Sequence, residues 1–241
     1  MKTAIRNGLI ASGLAIATML GVIAWVWVAL PEGEQIPLHW NAAGEADRWG
    51  SKREAMFGLA VMPVVVMFTT VLLAVVPKLD PRRANLEKSA KTYGIVWVAV
   101  MVLLAGVSVG IGWLKVSSVS TAAGPDVSGI PFVRFVMAGT ALMFIVMGNY
   151  LPKTRPNWFL GIRTPWTLSS DEAWEKTHRL GGRLFMLVGL VGLVIAFVLD
   201  GLALAFAVPA MVLTVTAICF IYSFLVWRGA ADKQVESDYI V

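Results

Sequence analysis

Six stretches of the chain are apolar over roughly the twenty residues a helix needs to cross a bilayer core. They fall at about residues 8–30, 55–76, 93–114, 132–151, 184–199 and 202–227. The fifth is short alone, but His178, Arg179, Gly181 and Gly182 just before it extend the helix back into the interface. Asp200-Gly201 supplies a tight turn into the sixth. The first run follows Lys2 and Arg6, as a secretory signal would. It is nevertheless too long for a signal core, carries Trp25 and Trp27, and lacks a small-x-small cleavage site before Pro31, so it reads as an uncleaved span.

Lys and Arg alternate sharply between the connections. Fifteen fall in the N-terminus, the second and fourth loops and the tail, against four (Arg48, Lys52, Arg53 and Lys115) on the other side, with Arg134 just inside the fourth span. The positive-inside rule then places both termini in the cytoplasm. The expected fold is an all-α, polytopic six-helix transmembrane bundle, with a structured extracellular loop 1 and an interfacial helix in cytoplasmic loop 4. Two units are expected: residues 1–92, a helix pair with the extracellular loop, and residues 93–241, a four-helix module.

Composition agrees. Of 241 residues, 58% are hydrophobic and only 15% charged, which excludes a soluble globular domain. The net charge of +5 is dispersed between apolar runs, not gathered on a water-soluble face, so no direct nucleic-acid contact is expected. One cysteine, Cys219, excludes an internal disulfide, and two histidines leave little for a multi-histidine metal site. The spans hold almost no ionisable residue, which argues against proton-coupled transport. Gly13, Ala17 and Gly21 in the first span, and Gly106 and Gly110 in the third, form small-residue faces read as intramolecular packing surfaces. Pro63 and Pro209 are expected to kink their helices.

Two polar segments carry the remaining information. In loop 1, His39, Asn41, Glu45 and Asp47 offer nitrogen and oxygen ligands, Asn41 and Gly44 suit a turn, and Trp40 and Trp49 suit the membrane interface. A cation site, a hydrogen-bonded cap over the bundle, and peptide or lipid binding are all open readings. In loop 4, the stretch through Trp166 is rich in Pro, Trp and Arg without a helical pattern. Ser169 and Glu172 then spell a capping box that starts a helix at about Ser170, with Trp174 and His178 on one face. Such a segment binds anionic membrane lipids by default; a docking site formed by Arg155, Arg163 and Arg179 is the alternative. No GxSxG, HExxH, P-loop or GxGxxG occurs, so no catalytic residue, metal or cofactor is assigned.

Both segments resemble the SdpI family of bacterial membrane proteins. The pattern Ile36-Pro37-x-His39-x-Asn41-x-x-Gly44-x-x-Asp47-x-Trp49-x-Ser51-Lys52 is similar to the domain of unknown function that often precedes the SdpI module. Gly148-Asn149-Tyr150, Arg155-Pro156-Asn157, Gly161 through Ser169, Trp174, Thr177-His178-Arg179 and Gly182 are similar to the module's core. The resemblance covers roughly residues 5–77 and 130–228. It implies immunity against a secreted membrane-active peptide toxin and, more weakly, signalling by holding an ArsR-type repressor at the membrane. The nominated binding residues are His39, Asn41, Gly44, Asp47, Trp49 and Lys52 outside, and Asn149, Arg155, Asn157, Gly161, Arg163, Thr164, Trp166, Trp174, His178 and Arg179 inside. A membrane enzyme or transporter acting on a lipid or peptide, through a cavity lined by Asn149, Arg163 and His178, is the competing expectation.

Overall fold

The structure, a computed structural model, describes residues 1–41, 43–120 and 128–233; Ala42 of loop 1 and the last eight positions of the expected 93–241 unit lie outside the described residues. The elements run α1 (Lys2–Ala29), β1 (Ile36–Trp40), β2 (Ala46–Gly50), α2 (Lys52–Leu79), α3 (Arg83–Lys88), α4 (Ala90–Ser120), α5 (Ile130–Tyr150), α6 (Pro165–Leu168), α7 (Asp171–Val198) and α8 (Gly201–Gly229). The six long helices carry apolar windows of mean hydropathy 2.0 to 2.7, long enough to cross a membrane. Their outer faces are studded with exposed apolar side chains such as Val28, Phe57, Phe197 and Leu213. In water that surface would drive aggregation; in lipid it is the solvated face.

Lipid tails are as apolar as leucine, so helix association here depends on close van der Waals fit. The sequence supplies it with small residues at the crossings. Gly8 lies under the ring of buried Trp97, where a Cβ would stand 2.3 Å from the indole, and Trp97 Nε1 donates to Ser12 Oγ at 3.0 Å. These contacts seat α4 on α1. On the other side α5 and α7 cross through Gly148 and Gly182, where a Cβ on either would meet the other's carbonyl oxygen at 2.6 Å. Gly182 is therefore a close-packed junction between α5 and α7.

α4 packs chiefly on α1 and meets α5 more thinly, through Phe132 and Phe135 against Gly106 and Gly110. The bundle is thus two three-helix groups, α1/α2/α4 and α5/α7/α8. α4, which straddles the expected boundary at 92/93, packs chiefly on α1. The stripe of Gly13, Ala17 and Gly21 departs from expectation. All three are exposed, and a Cβ at Gly13 or Gly21 meets nothing within 4 Å. The face turned to α4 is the neighbouring one, with Gly8, Ser12, Ala15 and Met19 buried.

Loop 1 is an antiparallel β-hairpin, the one sheet among the described residues. Ile36, fully buried, anchors it among Val22, Val26, Leu30, Ala55 and Leu59. α2 then starts on a capping box: Ser51 accepts the amide of Glu54, and Glu54 accepts that of Ser51 at 2.8 Å. The Asp200-Gly201 turn into α8 is present, with Asp200 as N-cap and Gly201 at φ +54°.

Candidate functional site

At the hairpin end, Asn41 builds the turn. Its Oδ1 accepts the amides of Ala43 (2.9 Å) and Glu45 (3.0 Å), and its Nδ2 donates to Glu45 Oε2 at 3.0 Å. Gly44 is required on two counts. It holds φ +82°, and its carbonyl accepts the Gly129 amide at 2.7 Å in a contact where a Cβ would strike Ile130. This ties the hairpin tip to the start of α5. His39 Nδ1 pairs with Asp47 Oδ1 at 2.6 Å in an exposed cross-strand contact. Lys52 pairs with Glu32 at 2.9 Å and lies over the Trp27 ring, while Trp49 lines a separate cleft. His39 with Asp47, and Asn41 with Glu45, therefore form separate pairs. Among the described residues, no three His, Cys, Asp or Glu side chains converge as metal ligands. The geometry is that of the hydrogen-bonded cap.

At the opposite end loop 4 is organised around two buried polar side chains. Asn157 uses its whole amide: Nδ2 donates to the carbonyls of Arg155 (2.7 Å) and Leu160 (3.1 Å), and Oδ1 accepts the amides of Phe159 (2.9 Å) and Leu160 (2.7 Å). His178, 1% exposed, stacks on Trp174 with ring centroids 4.0 Å apart. Its Nε2 accepts the Ile162 amide at 2.9 Å and its Nδ1 donates to the Trp174 carbonyl at 2.8 Å. That pair of bonds fixes a neutral ring with the proton on Nδ1. Gly161, at φ +122°, passes directly over the stacked rings. Trp174 Nε1 completes the unit by donating to the Thr154 carbonyl at 3.2 Å.

The sequence reading expected no helix before Ser169, yet α6 forms there with its own capping box, Thr164 to Thr167. Thr164 Oγ1 donates to Ser223 Oγ at 3.0 Å, and Trp166 packs edge-on against Phe220, which together join α6 to α8. The expected Ser169–Glu172 box does not form, and a one-sided cap one residue further on takes its place. Ser170 is the N-cap of α7, accepting the Ala173 amide at 3.0 Å, because Ser169 is already bonded to the Pro165 carbonyl as α6 ends. Glu172 pairs instead with Lys176 at 2.6 Å.

The three nominated arginines do not share one site. Arg163 donates to the Trp158 carbonyl, and Arg179 pairs with Glu175 at 2.5 Å. Arg155 lines a cleft of about 620 Å³ with Asn85, Lys88, Lys153, Trp174 and three acids, Asp171, Glu172 and Glu175. Asn149 is exposed and takes a weak 3.4 Å bond from Lys153. His178 is buried beneath Gly161, whereas Asn149 and Arg163 are exposed.

The second loop holds loop 4 in place, and no short motif announced it. Asp80, buried, accepts the amides of Arg82 (2.7 Å) and Trp158 (3.1 Å). Asn85 donates to the Pro156 carbonyl, Ser89 accepts the Arg155 amide, and Arg82 reaches the Leu168 carbonyl, each at 2.9 Å. From the tail, Asp232 accepts Ser170 Oγ at 2.6 Å and the Glu172 amide at 3.1 Å.

Comparison with known proteins bears on both ends. Residues 153–223 match the SdpI/YfhL protein family, and residues 14–67 match a domain of unknown function, DUF1648. Over 59 residues the chain is 29% identical to "Immunity protein SdpI" of Bacillus subtilis (strain 168), a stretch that is 24% of this chain and 28% of that protein. No solved structure matches. The SdpI/YfhL match contains the whole Asn157–Gly161–Thr164–His178 assembly, and the DUF1648 match contains the hairpin. This multi-pass membrane chain therefore carries a segment similar to the SdpI/YfhL protein family over residues 153–223, with a DUF1648-like region ahead of it at residues 14–67.

Proposed function

We propose that the protein is a non-catalytic membrane immunity protein of the SdpI type, binding a secreted membrane-active peptide toxin and protecting the cell that carries it. The observation that carries this reading is the family match over residues 153–223, which coincides with the interlocked loop 4 and the helices that bear it. In this reading the cation-rich end faces the cytoplasm, as the Lys and Arg distribution favours, and the hairpin faces the side from which a toxin arrives. His39, Asn41 and Asp47 present exposed polar groups there. Trp158 and Phe159, exposed beside Arg155 and Arg163, offer the surface on which an ArsR-type repressor would dock.

The test is survival. The chain and the single variants His39→Ala and Arg163→Ala are expressed at matched membrane levels in a toxin-sensitive bacterium lacking its own immunity gene, then challenged with a sporulation-delay-type peptide. Protection by the unaltered chain, reduced by His39→Ala, is the expected result; Arg163→Ala should lower a repressor-controlled reporter more than survival. Correct insertion without any protection would overturn the immunity reading.

A further inference from the structure

The hairpin end of the bundle is poor in cations: Arg48, Lys52, Arg53, Lys115 and Arg134 are all it has. Two of the five are neutralised, Lys52 by Glu32 at 2.9 Å and Arg134 by Asp200 at 2.5 Å. The other three line a single cleft of about 650 Å³ beside the first turns of α2, and among the described residues no carboxylate pairs with any of them. Glu54, the one acid in the lining, accepts the amide and the hydroxyl of Ser51, both at 2.8 Å, and also feels the charge of Arg48, so one carboxylate faces three cations and the cleft stays net positive. Lys115 is only 4% exposed. Its ammonium carries three donors, and its described protein acceptor is the Pro37 carbonyl at 3.0 Å. Holding such a charge out of water is costly without an anion nearby.

Below the cations the cleft becomes apolar. Phe57, 76% exposed, and Val61 continue it down the lipid-facing side of α2. One end thus suits an anion and the other suits hydrocarbon, at the level where a membrane places headgroups above acyl chains. We propose that this cleft seats an anionic glycerophospholipid of the hairpin-side leaflet, its phosphodiester against Arg48, Arg53 and Lys115 and its first acyl carbons against Phe57 and Val61. Guanidinium groups suit phosphate oxygens, which they engage through paired donors. The apolar wall is continuous with the bilayer that supplies the ligand. The proposal is independent of the immunity reading.

The full chain is purified in detergent and titrated with phosphatidylglycerol or phosphatidylethanolamine, bound lipid being counted by native mass spectrometry. Phosphatidylglycerol should be retained preferentially. Arg48→Gln and Arg53→Gln should each weaken it about fivefold, the scale of one basic residue at an anionic membrane surface, while Lys91→Gln at the opposite end should not. Gly58→Phe is the second probe: a Cβ at Gly58 meets nothing within 4 Å, so the helix tolerates the ring, which fills the cleft without altering charge. It should displace the lipid equally. Equal retention of the two lipids, or unchanged binding in both Arg48→Gln/Arg53→Gln and Gly58→Phe, would overturn the proposal. So would displacement of the lipid by millimolar inorganic phosphate or by a short peptide carboxylate, which would make the cleft a site for free anions or peptide termini.

Discussion

A methyl group on Gly161 would stand 2.3 Å from Nε2 of His178, so loop 4 crosses the stacked Trp174–His178 pair with no room for a side chain. The same glycine sits at φ +122°, a region an L-residue enters only under strain of about 1–3 kcal/mol. Gly161→Ala therefore meets both a clash and a strained backbone. Its thermal midpoint in detergent should fall by several degrees, with early protease cleavage within residues 154–164. An unchanged midpoint would show that the loop relaxes freely at this point.

His178→Phe separates stacking from hydrogen bonding. The phenyl ring keeps the face against Trp174 but offers nothing to the Ile162 amide, which is left without its acceptor at a cost of about 1–3 kcal/mol. Hydrogen exchange at Ile162 should be slow in the unaltered chain and fast in the variant, while amides in the middle of α5 stay protected. If Ile162 exchanges at the same rate in both, the histidine is a packing residue alone.

Asp80 binds two amides, one at the start of its own loop, at Arg82, and one 78 positions further along the chain, at Trp158. Asp80→Ala strands both, and about 2–3 kcal/mol is expected from charge-assisted bonds of this kind. Because the clasp joins α2–α3 to loop 4, the loss should appear as protease sensitivity near Trp158 before any loss of helix content. Asn85→Ala, removing one neutral bond to the Pro156 carbonyl, should give the same pattern at smaller amplitude.

These long-range clasps mark where the sequence stops being legible. The six spans, the Asp200-Gly201 turn and the continuation of α7 back through His178 follow from apolar run length and turn chemistry, which are local. The nominated Gly161, Trp174 and His178 do meet, since a proline- and tryptophan-rich loop beside a helix face restricts the partners available. Asp80, Asn85, Ser89 and Asp232 carry no such pattern: single polar residues in polar loops, defined by what lies opposite them. The stripe of Gly13, Ala17 and Gly21 shows the complementary limit. Four-residue spacing finds a face of a helix but not the neighbour it meets, and here α4 takes the adjacent face. The shift from Ser169 to Ser170 at the start of α7 is smaller in kind. Two serines both satisfy the cap preference, and the short helix α6 decides by occupying the first.

Asp232 gives a prediction in pH. Its carboxylate closes the N-terminus of α7 from beyond the end of α8, and the Ser170 hydroxyl, with the amides of the first turn, holds it below its ordinary value of 3.8. A carboxyl whose folded-state value is depressed binds protons more readily when the contact is broken. Its contribution is therefore present above the ordinary value and is lost as pH falls through the folded one. The group is almost fully exposed, so the effect is confined to the junction between tail and helix. Amide exchange over Asp171–Trp174, corrected for the intrinsic pH dependence, should be slow near neutrality and should accelerate below about pH 4, close to the free carboxyl's range. Asp232→Asn should exchange faster at neutrality and lose most of the acid step, with exchange in the middle of α7 unchanged. If the variant keeps the full acid step, the titrating group is one of the acids on α7 itself, and the tail does not cap the helix.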